Sequence, residues 1–381
     1  MKIRKLLDMN SKYSTLLLII FLFLISSIFL FKAFLNSSGP NGSVDLIQFY
    51  SLSKDFWSGK DIYENIEPGK TAMPMWNHLM YIIFYPFTLF SYEITKILWF
   101  GSNLIFTYII IKLLKKAFSL NFNKSLILII MIVSSTPFTN TLGNGQIGLF
   151  LLMSLLFYWY SNSKIKGIFL STAYIKFSFA PFFLMNSLFK KEIDLIFAII
   201  VSILAVLFYG IYINDLRFIE FFNPLLSILA IIKANKETFI GDINNFHIRA
   251  LFSNLGFSQY YIWGMIILGF LNLVNIFLIK KNNDLLFLMI SISSLLIFYH
   301  NYYDLVFLIP LAGYLLKSNT SNFIFFINFP IIIWFFYFVR FNELILDQYL
   351  SLNLMNIIGS VLLIISYLSL YIQNLKDSNK I

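Results

Sequence analysis

The chain has 381 residues, of which 59% are hydrophobic and only 12% charged, and it contains no cysteine. A soluble protein of this length would need far more charged surface, so the composition excludes a soluble fold, and the missing cysteines exclude disulfides and thiolate sites. The net charge of +10 comes from lysines and arginines in short groups between apolar runs, which argues against a nucleic-acid-binding face and is typical of membrane proteins that keep positive charge inside.

The N-terminal region predicts a retained first membrane helix. Lys2, Arg4 and Lys5 precede an apolar run at 13–34, which is too long for a cleaved signal peptide and has no small-residue cleavage site after it. The N-terminus is therefore expected in the cytoplasm. The polar loop 35–76 is expected outside, with an amphipathic helix that begins near Asp45 and lies along the membrane interface.

Further apolar segments continue to the C-terminus and predict an all-α, polytopic transmembrane helix bundle of about 10–13 membrane segments. No soluble domain interrupts them, so 1–381 is expected to be a single transmembrane domain. The segments lie at 77–91, 94–114, 124–138, 147–161, 167–189, 193–213, 259–280, 283–299, 303–317, 321–340 and 351–373.

The distribution of lysine and arginine predicts the orientation of these segments. The basic clusters at 115–124, 164–166, 190–191, 280–281, 317 and 376–380 can all face the cytoplasm only if 77–91 and 167–189 are broken or re-entrant, as Pro86 and Lys176 suggest. Both termini are then cytoplasmic. The expected outer regions are 35–93, 139–146, 214–258 and 341–350, and the expected inner regions are 115–124, 162–166 and 281–282. Most acidic residues and all three histidines fall outside, which predicts a functional face there.

Asp45 is the first candidate for chemistry. A carboxylate at the edge of an apolar cavity has a raised proton affinity and can act as a general base towards a hydroxyl. The competing interpretation, which residue chemistry favours, is that Asp45 merely caps the helix that follows it.

Two further candidates follow in chain order. Residues 143–148 read GNGQIG, in which glycines allow a tight turn close to a ligand and Gln146 offers a donor and an acceptor; the alternative is an ordinary hairpin turn. Lys176 lies in an apolar broken segment, where a cation is costly unless it meets an anion or a polar cavity; the alternative is that it extends to the interface.

Two late motifs complete the set. Arg249, in NNFHIR at 244–249, can contact a phosphate through two N–H groups. His300 and Asp304, in FYHNYYD at 298–304, lie at an outer membrane boundary, where they and the tyrosines are alternatively the polar fringe of an aromatic belt. The common soluble catalytic motifs for nucleotides, zinc proteolysis and serine hydrolysis are absent.

The order of these features resembles glycosyltransferase family 87, a family of polytopic enzymes with the C-type membrane fold. The resemblance covers about 40–312 and depends on the sequence of motifs rather than on any single one. These motifs are Asp45 with Tyr50, the GKDIY run at 59–63, Pro74 with Trp76 and Asn77, GNGQIG, AYIKFSFAPFFL at 173–184, NNFHIRALF at 244–252 and FYHNYYDLVFLIP at 298–310.

The resemblance implies transfer of a sugar, a mannose-like hexose or a pentose, from a polyprenyl phosphate to a lipid or glycan acceptor at the extracytoplasmic face, with inversion. It implies a polyprenyl-phosphate-sugar-dependent hexosyltransferase in a bacterial inner or plasma membrane, with a lipid-linked donor, an acceptor and membrane lipids as its partners. No cofactor is expected, and no ligand set for a metal is visible.

By the same resemblance Asp45 is the general base and His300 a second catalytic residue. The donor and its phosphate are expected to contact Lys176, Arg249, Gln146 and Asn245. The acceptor or loop candidates are Tyr50, Tyr63, Trp76, Asn144 and Asp304.

Two other classes of protein fit a polytopic chain. A transporter or flippase of lipid-linked sugars would also have broken helices, but transporters tend to have related halves and a polar site near the bilayer midplane, whereas the polar residues here gather on one side. An envelope assembly protein without activity would leave that one-sided set unexplained.

Overall fold

A computed structural model of the chain describes residues 12–40, 42–60, 62, 76–162, 165–176, 178–190, 193–212, 246–278, 283–298, 300–338 and 352–378. These residues form helices joined by short connections, and no strand occurs among them. The all-α prediction is confirmed. The fold contains two compact units, each assembled from separate stretches of chain.

One unit, here called the Asp45 unit, comprises 36–104 and 144–242. Its described helices are α2 (Leu46–Trp57), α3 (Leu79–Thr88), the first part of α4 (Tyr92–Phe118), α7 (Gly148–Tyr160), α8 (Lys166–Ser171), α9 (Ala180–Phe189) and α10 (Ile193–Tyr212).

The other unit, here called the His300 unit, comprises 1–35, 105–143 and 243–381. Its described helices are α1 (Lys12–Ser38), the rest of α4, α5 (Phe122–Val133), α6 (Thr136–Asn144), α11 (Ile248–Asn254), α12 (Tyr261–Leu278), α13 (Asn283–Ile297), α14 (Ile309–Leu315), α15 (Asn322–Ile333) and α16 (Leu352–Ser378). The last residues of α1 and α6 belong to the Asp45 unit.

Four described helices are long and apolar enough to cross a membrane. They are found within Thr15–Ser38, Tyr92–Phe118, Ser258–Phe277 and Leu354–Asp377, and most of the first of these stretches is exposed, as expected of a lipid-facing helix. The chain is therefore a multi-pass membrane protein. The total of 10–13 membrane segments stays a prediction.

A bend interrupts the predicted segment 124–138. The α5 and α6 helices meet at 57° near Ser134 and Ser135. The Ser134 hydroxyl donates to the Ile130 carbonyl at 2.6 Å and the Ser135 hydroxyl to the Ile132 carbonyl at 2.8 Å. Serine hydroxyls that bond the preceding turn bend helices, and Pro137 has no N–H with which to continue the ladder.

The predicted break at Lys176 is present, whereas the predicted break at Pro86 is wrong, because the α3 helix runs through that residue. The α3 helix has ten residues and contains Pro86; at 1.5 Å per residue it is about 15 Å long, half the thickness of the hydrocarbon core. The α8 helix tightens into a 3-10 turn at Thr172–Ile175, and α9 begins only at Ala180. Lys176 lies in the gap between them.

The predicted amphipathic helix after Asp45 is α2, which buries a single face. The buried residues of that face are Leu46, Phe49, Leu52, Ser53 and Phe56. The face packs on α3, where the rings of Phe56 and Tyr81 stack at 6.0 Å. The Trp57 indole N–H donates to the Tyr81 carbonyl at 3.0 Å. Protein therefore covers the apolar side of α2, and the start of this helix, which carries Asp45, is fixed to the core.

Candidate functional site

Asp45 occupies the residue position before α2 that usually caps a helix, but its side chain accepts no capping hydrogen bond. Its backbone has helical angles, φ −86° and ψ −28°. A capping side chain normally requires the extended backbone that precedes a helix, which points the side chain back over the free N–H groups. Asp45 therefore does not cap α2 through its side chain.

The GNGQIG motif packs directly against the turn that carries Asp45. The Asp45 N–H donates to the Asn144 carbonyl at 3.1 Å. Gly145 has φ +69°, and a Cβ on it would lie 2.6 Å from the Cβ of Leu46. Only glycine adopts this backbone without strain and also leaves room for Leu46. Gln146, the next residue, is 5% exposed.

Trp76 and Asn77 extend the site from α2 towards Lys176. The Trp76 ring lies 4.4 Å from the ring of Phe49, which follows Asp45 by one helical turn. The neighbouring Asn77 donates its backbone N–H to the Ile175 carbonyl at 3.4 Å. This bond pairs Asn77 with Ile175, the residue that directly precedes Lys176.

Lys176 has an extended backbone, with φ −119° and ψ 98°, at the end of the 3-10 turn. Its side chain is half-buried, and its ammonium lies 6.0 Å from the centre of the Phe179 ring. The helix break removes Lys176 from a continuous apolar helix and places the cation beside an aromatic face, where a charge is better tolerated.

Tyr50, an acceptor or loop candidate, has a structural contact. Its hydroxyl donates to the Phe90 carbonyl at 2.9 Å, and its ring lies 5.4 Å from the ring of Tyr92. It therefore ties α2 to the start of α4.

Two side chains of α4 hold the turn around Asp45, although the sequence did not indicate them. The Tyr92 hydroxyl donates to the Ser43 carbonyl at 2.8 Å. The Trp99 indole N–H donates to the Gly145 carbonyl at 3.0 Å. The Tyr92 bond therefore fixes the backbone two residues before Asp45. The Trp99 bond fixes the GNGQIG motif that packs against the turn.

Lys96 lies between these two residues on α4 and is also turned inward. Its side chain is 2% exposed, and its ammonium lies 2.6 Å from the Glu93 carboxylate. The ammonium also donates to the carbonyls of Ser38 and Gly39 at 3.3 and 3.1 Å. A lone lysine near the start of an apolar span was the available sequence signal, because such a cation needs a specific set of partners.

In the His300 unit, His300 and Asp304 form a buried pair. The His300 Nδ1 lies 3.0 Å from the Asp304 Oδ2, and the two residues are 4% and 1% exposed. The carboxylate fixes the orientation of the ring and favours a proton on Nδ1. The pair is therefore an ordered element of the interior and not the exposed fringe of an aromatic belt.

His247 lies close to this pair and caps α11. Its Nδ1 accepts a hydrogen bond from the Ala250 N–H at 3.2 Å, so a neutral ring carries its proton on Nε2. Burial, followed by the charges of His300 and Arg249, lowers the pKa of His247 to about 3. His247 is thus neutral at physiological pH.

Arg249 lies two residues after His247, in the first turn of α11. Its guanidinium lies 5.5 Å from the centre of the Tyr261 ring, and its side chain is half-buried. The preceding Phe246 anchors the segment, because its ring packs 5.3 Å from that of Phe335. Arg249 therefore projects from a fixed turn beside an aromatic ring.

The candidates divide between the two units. The Asp45 unit contains Asp45, Tyr50, Trp76, Asn144, Gln146 and Lys176, and the His300 unit contains Arg249, His300 and Asp304. Tyr63 and Asn245 lie outside the described residues. Within the described ranges, no group of three or more His, Asp and Glu residues is arranged to hold a metal ion.

The helical membrane fold and the ordered Asp45 turn together describe a membrane-embedded protein with a polar site. The sequence profile of glycosyltransferase family 87 matches residues 79–299, which is more than half of the chain. The chain belongs to this family and is a membrane glycosyltransferase. His300 directly follows the matched range, whereas Asp45 lies well before its start at residue 79. No curated protein and no solved structure matches the chain.

Proposed function

We propose that this glycosyltransferase moves a sugar, a mannose-like hexose or a pentose, from a polyprenyl phosphate to a hydroxyl of a lipid or glycan acceptor. The observation that carries the proposal is Asp45, whose turn is fixed by the GNGQIG motif while its carboxylate is not used as a helix cap. A carboxylate held in this way is suited to remove a proton from an acceptor hydroxyl.

In the proposed reaction Asp45 takes the proton of the acceptor hydroxyl as its oxygen attacks the anomeric carbon. The bond between that carbon and the phosphate oxygen breaks, and polyprenyl phosphate leaves with the electron pair. Attack from the face opposite the phosphate inverts the anomeric configuration. No second carboxylate is needed as an acid, because phosphate leaves without protonation, unlike the alkoxide that leaves in glycoside hydrolysis.

Positive charge beside the phosphate stabilises the departing group. Lys176 and Arg249 are the proposed phosphate ligands, and Gln146 and Asn245 are proposed to contact the donor. His300, oriented by Asp304, is the second proposed catalytic residue. Tyr50, Tyr63, Trp76 and Asn144 are proposed to border the acceptor. The proposed reaction requires no cofactor.

The proposed location is the outer face of a bacterial inner or plasma membrane, with both termini in the cytoplasm. Asp45 then lies in the first outer loop, and transfer occurs where the lipid-linked donor is presented. In this proposal the chain acts as a single transmembrane domain, with its outer loops 35–76 and 214–258 next to the substrates.

The test is sugar transfer by purified protein in lipid. Radiolabelled polyprenyl-phosphate mannose or pentose serves as the donor, and a total lipid extract of the native membrane serves as the acceptor. Asp45→Asn keeps the size of the side chain and removes the base, so kcat is expected to fall by roughly 10²–10⁴.

The matched control is Asp55→Asn in the same helix. Asp55 is 44% exposed and pairs with Lys60 at 2.9 Å, a surface contact of little energetic weight. Full activity of Asp45→Asn, or equal losses in both variants, would refute the assignment of Asp45 as the base.

A further inference from the structure

The first part of α4 presents three side-chain donors on one face, all directed at backbone carbonyls around Asp45. Tyr92, Lys96 and Trp99 have the spacing i, i+4 and i+7, which places them in line along a helix. We name these three residues the α4 donor stripe. The stripe lies in the Asp45 unit, on the segment that leads into a helix of membrane length.

The carbonyls that the stripe contacts belong to the segment before Asp45 and to the motif that packs against it. Lys96 bonds the end of the first helix, at Ser38 and Gly39. Tyr92 bonds Ser43, two residues before Asp45. Trp99 bonds Gly145, which follows the residue that accepts the Asp45 N–H.

The contacts are too specific to be explained by packing alone. An apolar helix would cover this turn at lower cost, since a buried lysine loses its hydration and must recover it from fixed partners. Lys96 obtains those partners from Glu93 and two carbonyls at the end of α1. The arrangement fixes the backbone before Asp45 and the motif that packs against it.

Tyr92 is also near the Asp45 carboxylate itself. The two groups are close enough to interact electrostatically, although the Tyr92 hydroxyl donates its proton to Ser43. Tyr92 therefore interacts electrostatically with the carboxylate while it anchors the backbone before it.

We propose that the α4 donor stripe positions Asp45 for proton removal from the acceptor, so that Tyr92, Lys96 and Trp99 are positioning residues for transfer. This inference rests on the proposed function of Asp45. Displacing a catalytic group by about 1 Å costs on the order of 100-fold in rate, so the bonds made by these three side chains have a direct kinetic consequence.

The test removes single hydrogen-bond donors and keeps an aromatic ring at each position. Tyr92→Phe and Trp99→Phe are each expected to lower kcat by about 10- to 100-fold, with the KM for the sugar donor unchanged, since neither residue is among the proposed ligands of that substrate. Active protein is counted by the stoichiometry of bound radiolabelled donor, so that loss of folded protein is not scored as a loss of kcat. Tyr108→Phe is the matched control: the same change on the same helix, at a side chain that is 66% exposed.

Double variants separate positioning from general structural damage. If the stripe acts through Asp45, adding Tyr92→Phe to Asp45→Asn lowers the remaining transfer no further, because residues that act as a unit are not additive. Wild-type kcat in both single variants, or a further tenfold loss in the double variant, would overturn the positioning role and leave the proposed function intact. A fully active Asp45→Asn would overturn both.

Discussion

The backbone N–H of Asp45 bonds the carbonyl of Asn144 at 3.1 Å, and this contact joins the first loop to a motif about a hundred residues later. In the sequence, α3, α4 and α5 lie between these two residues, and Asn144 is the last residue of α6. Their contact gives the GNGQIG motif a physical role, which is to support the turn of the proposed base.

Gly145→Ala is expected to destabilise the protein and to lower transfer. Alanine is strained at φ +69°, and its Cβ would lie 2.6 Å from that of Leu46. Together these effects are expected to cost about 1–3 kcal/mol or more. Gly59→Ala is the control, because Gly59 has φ +78° but no atom within 4 Å of the added Cβ. Thermal unfolding should show a larger loss for Gly145→Ala, and equal losses would show that the packing on Leu46 is unimportant.

Removing the charge of Lys176 or Arg249 is expected to raise the donor KM. Each alanine variant loses a charge-assisted contact worth roughly 1.5–3 kcal/mol, which corresponds to about 10- to 150-fold. Arg249→Lys should restore only part of the loss, because the two-pronged contact is not replaced. Lys376→Ala, which removes a cation 4.9 Å from the Phe323 ring, is the control. Unchanged donor KM in both alanine variants would remove these residues from the phosphate site.

His247 is expected to make the folded state sensitive to acid. Its pKa falls from about 6.5 when unfolded to about 3 when folded, so the unfolded chain binds the proton more tightly. The contribution of the neutral His247 ring to the free energy of unfolding is then complete above about pH 6.5 and is lost as the pH falls towards 3. At pH 5 the loss is about 2 kcal/mol, measured as a lower Tm than at pH 7.5.

Two substitutions separate the two nitrogens of His247. Asparagine keeps an acceptor for the Ala250 N–H and cannot be protonated, so His247→Asn should retain stability at pH 7.5 and lose much of the acid sensitivity. Glutamine places its amide farther from the backbone, so His247→Gln should lose the capping hydrogen bond from the Ala250 N–H. If His247→Asn unfolds with the same pH dependence as the wild type, His247 is not the group responsible.

The orientation of the chain can be tested with single cysteines, because the natural sequence has none. A cysteine at Lys60, whose side chain is 69% exposed, should react with an impermeant maleimide from outside. A cysteine at the exposed Lys116 should react only after the membrane is opened. Gly145 is unsuitable for labelling, because any side chain there would displace Leu46. The reverse pattern of labelling would refute the predicted orientation.

Much of the fold was predictable from the sequence, because membrane helices can be recognised as long apolar segments. The break at Lys176 was also predictable, since a cation and Pro181 interrupt an apolar run. The bend between α5 and α6 was missed. Ser134 and Ser135 cause the bend through hydrogen bonds from their hydroxyls to the preceding turn. Serine often occurs in membrane helices without such an effect, so its presence alone does not predict a bend.

The site was only partly predictable, for a different reason. Asp45 and Gly145 each have a local signal, but their contact depends on tertiary packing that no local pattern encodes. Residue chemistry favoured a capping role for Asp45, and the helical backbone at that residue works against it. Lys96 carried the same signal as Lys176, a lone cation among apolar residues, and was overlooked because it lies near the end of a span. Its partners are backbone carbonyls, which have no identity in a sequence.

The order in which the two units appear on the chain has a consequence for biosynthesis. Every segment of the Asp45 unit has been synthesised once residue 242 is reached, whereas the His300 unit takes its last segment from 243–381. Domains tend to fold as units during synthesis, N-terminal parts first. The turn that carries Asp45 is therefore expected to assemble while the ribosome is still adding the final third of the protein, and α1, inserted first, must wait longest for its own unit to close.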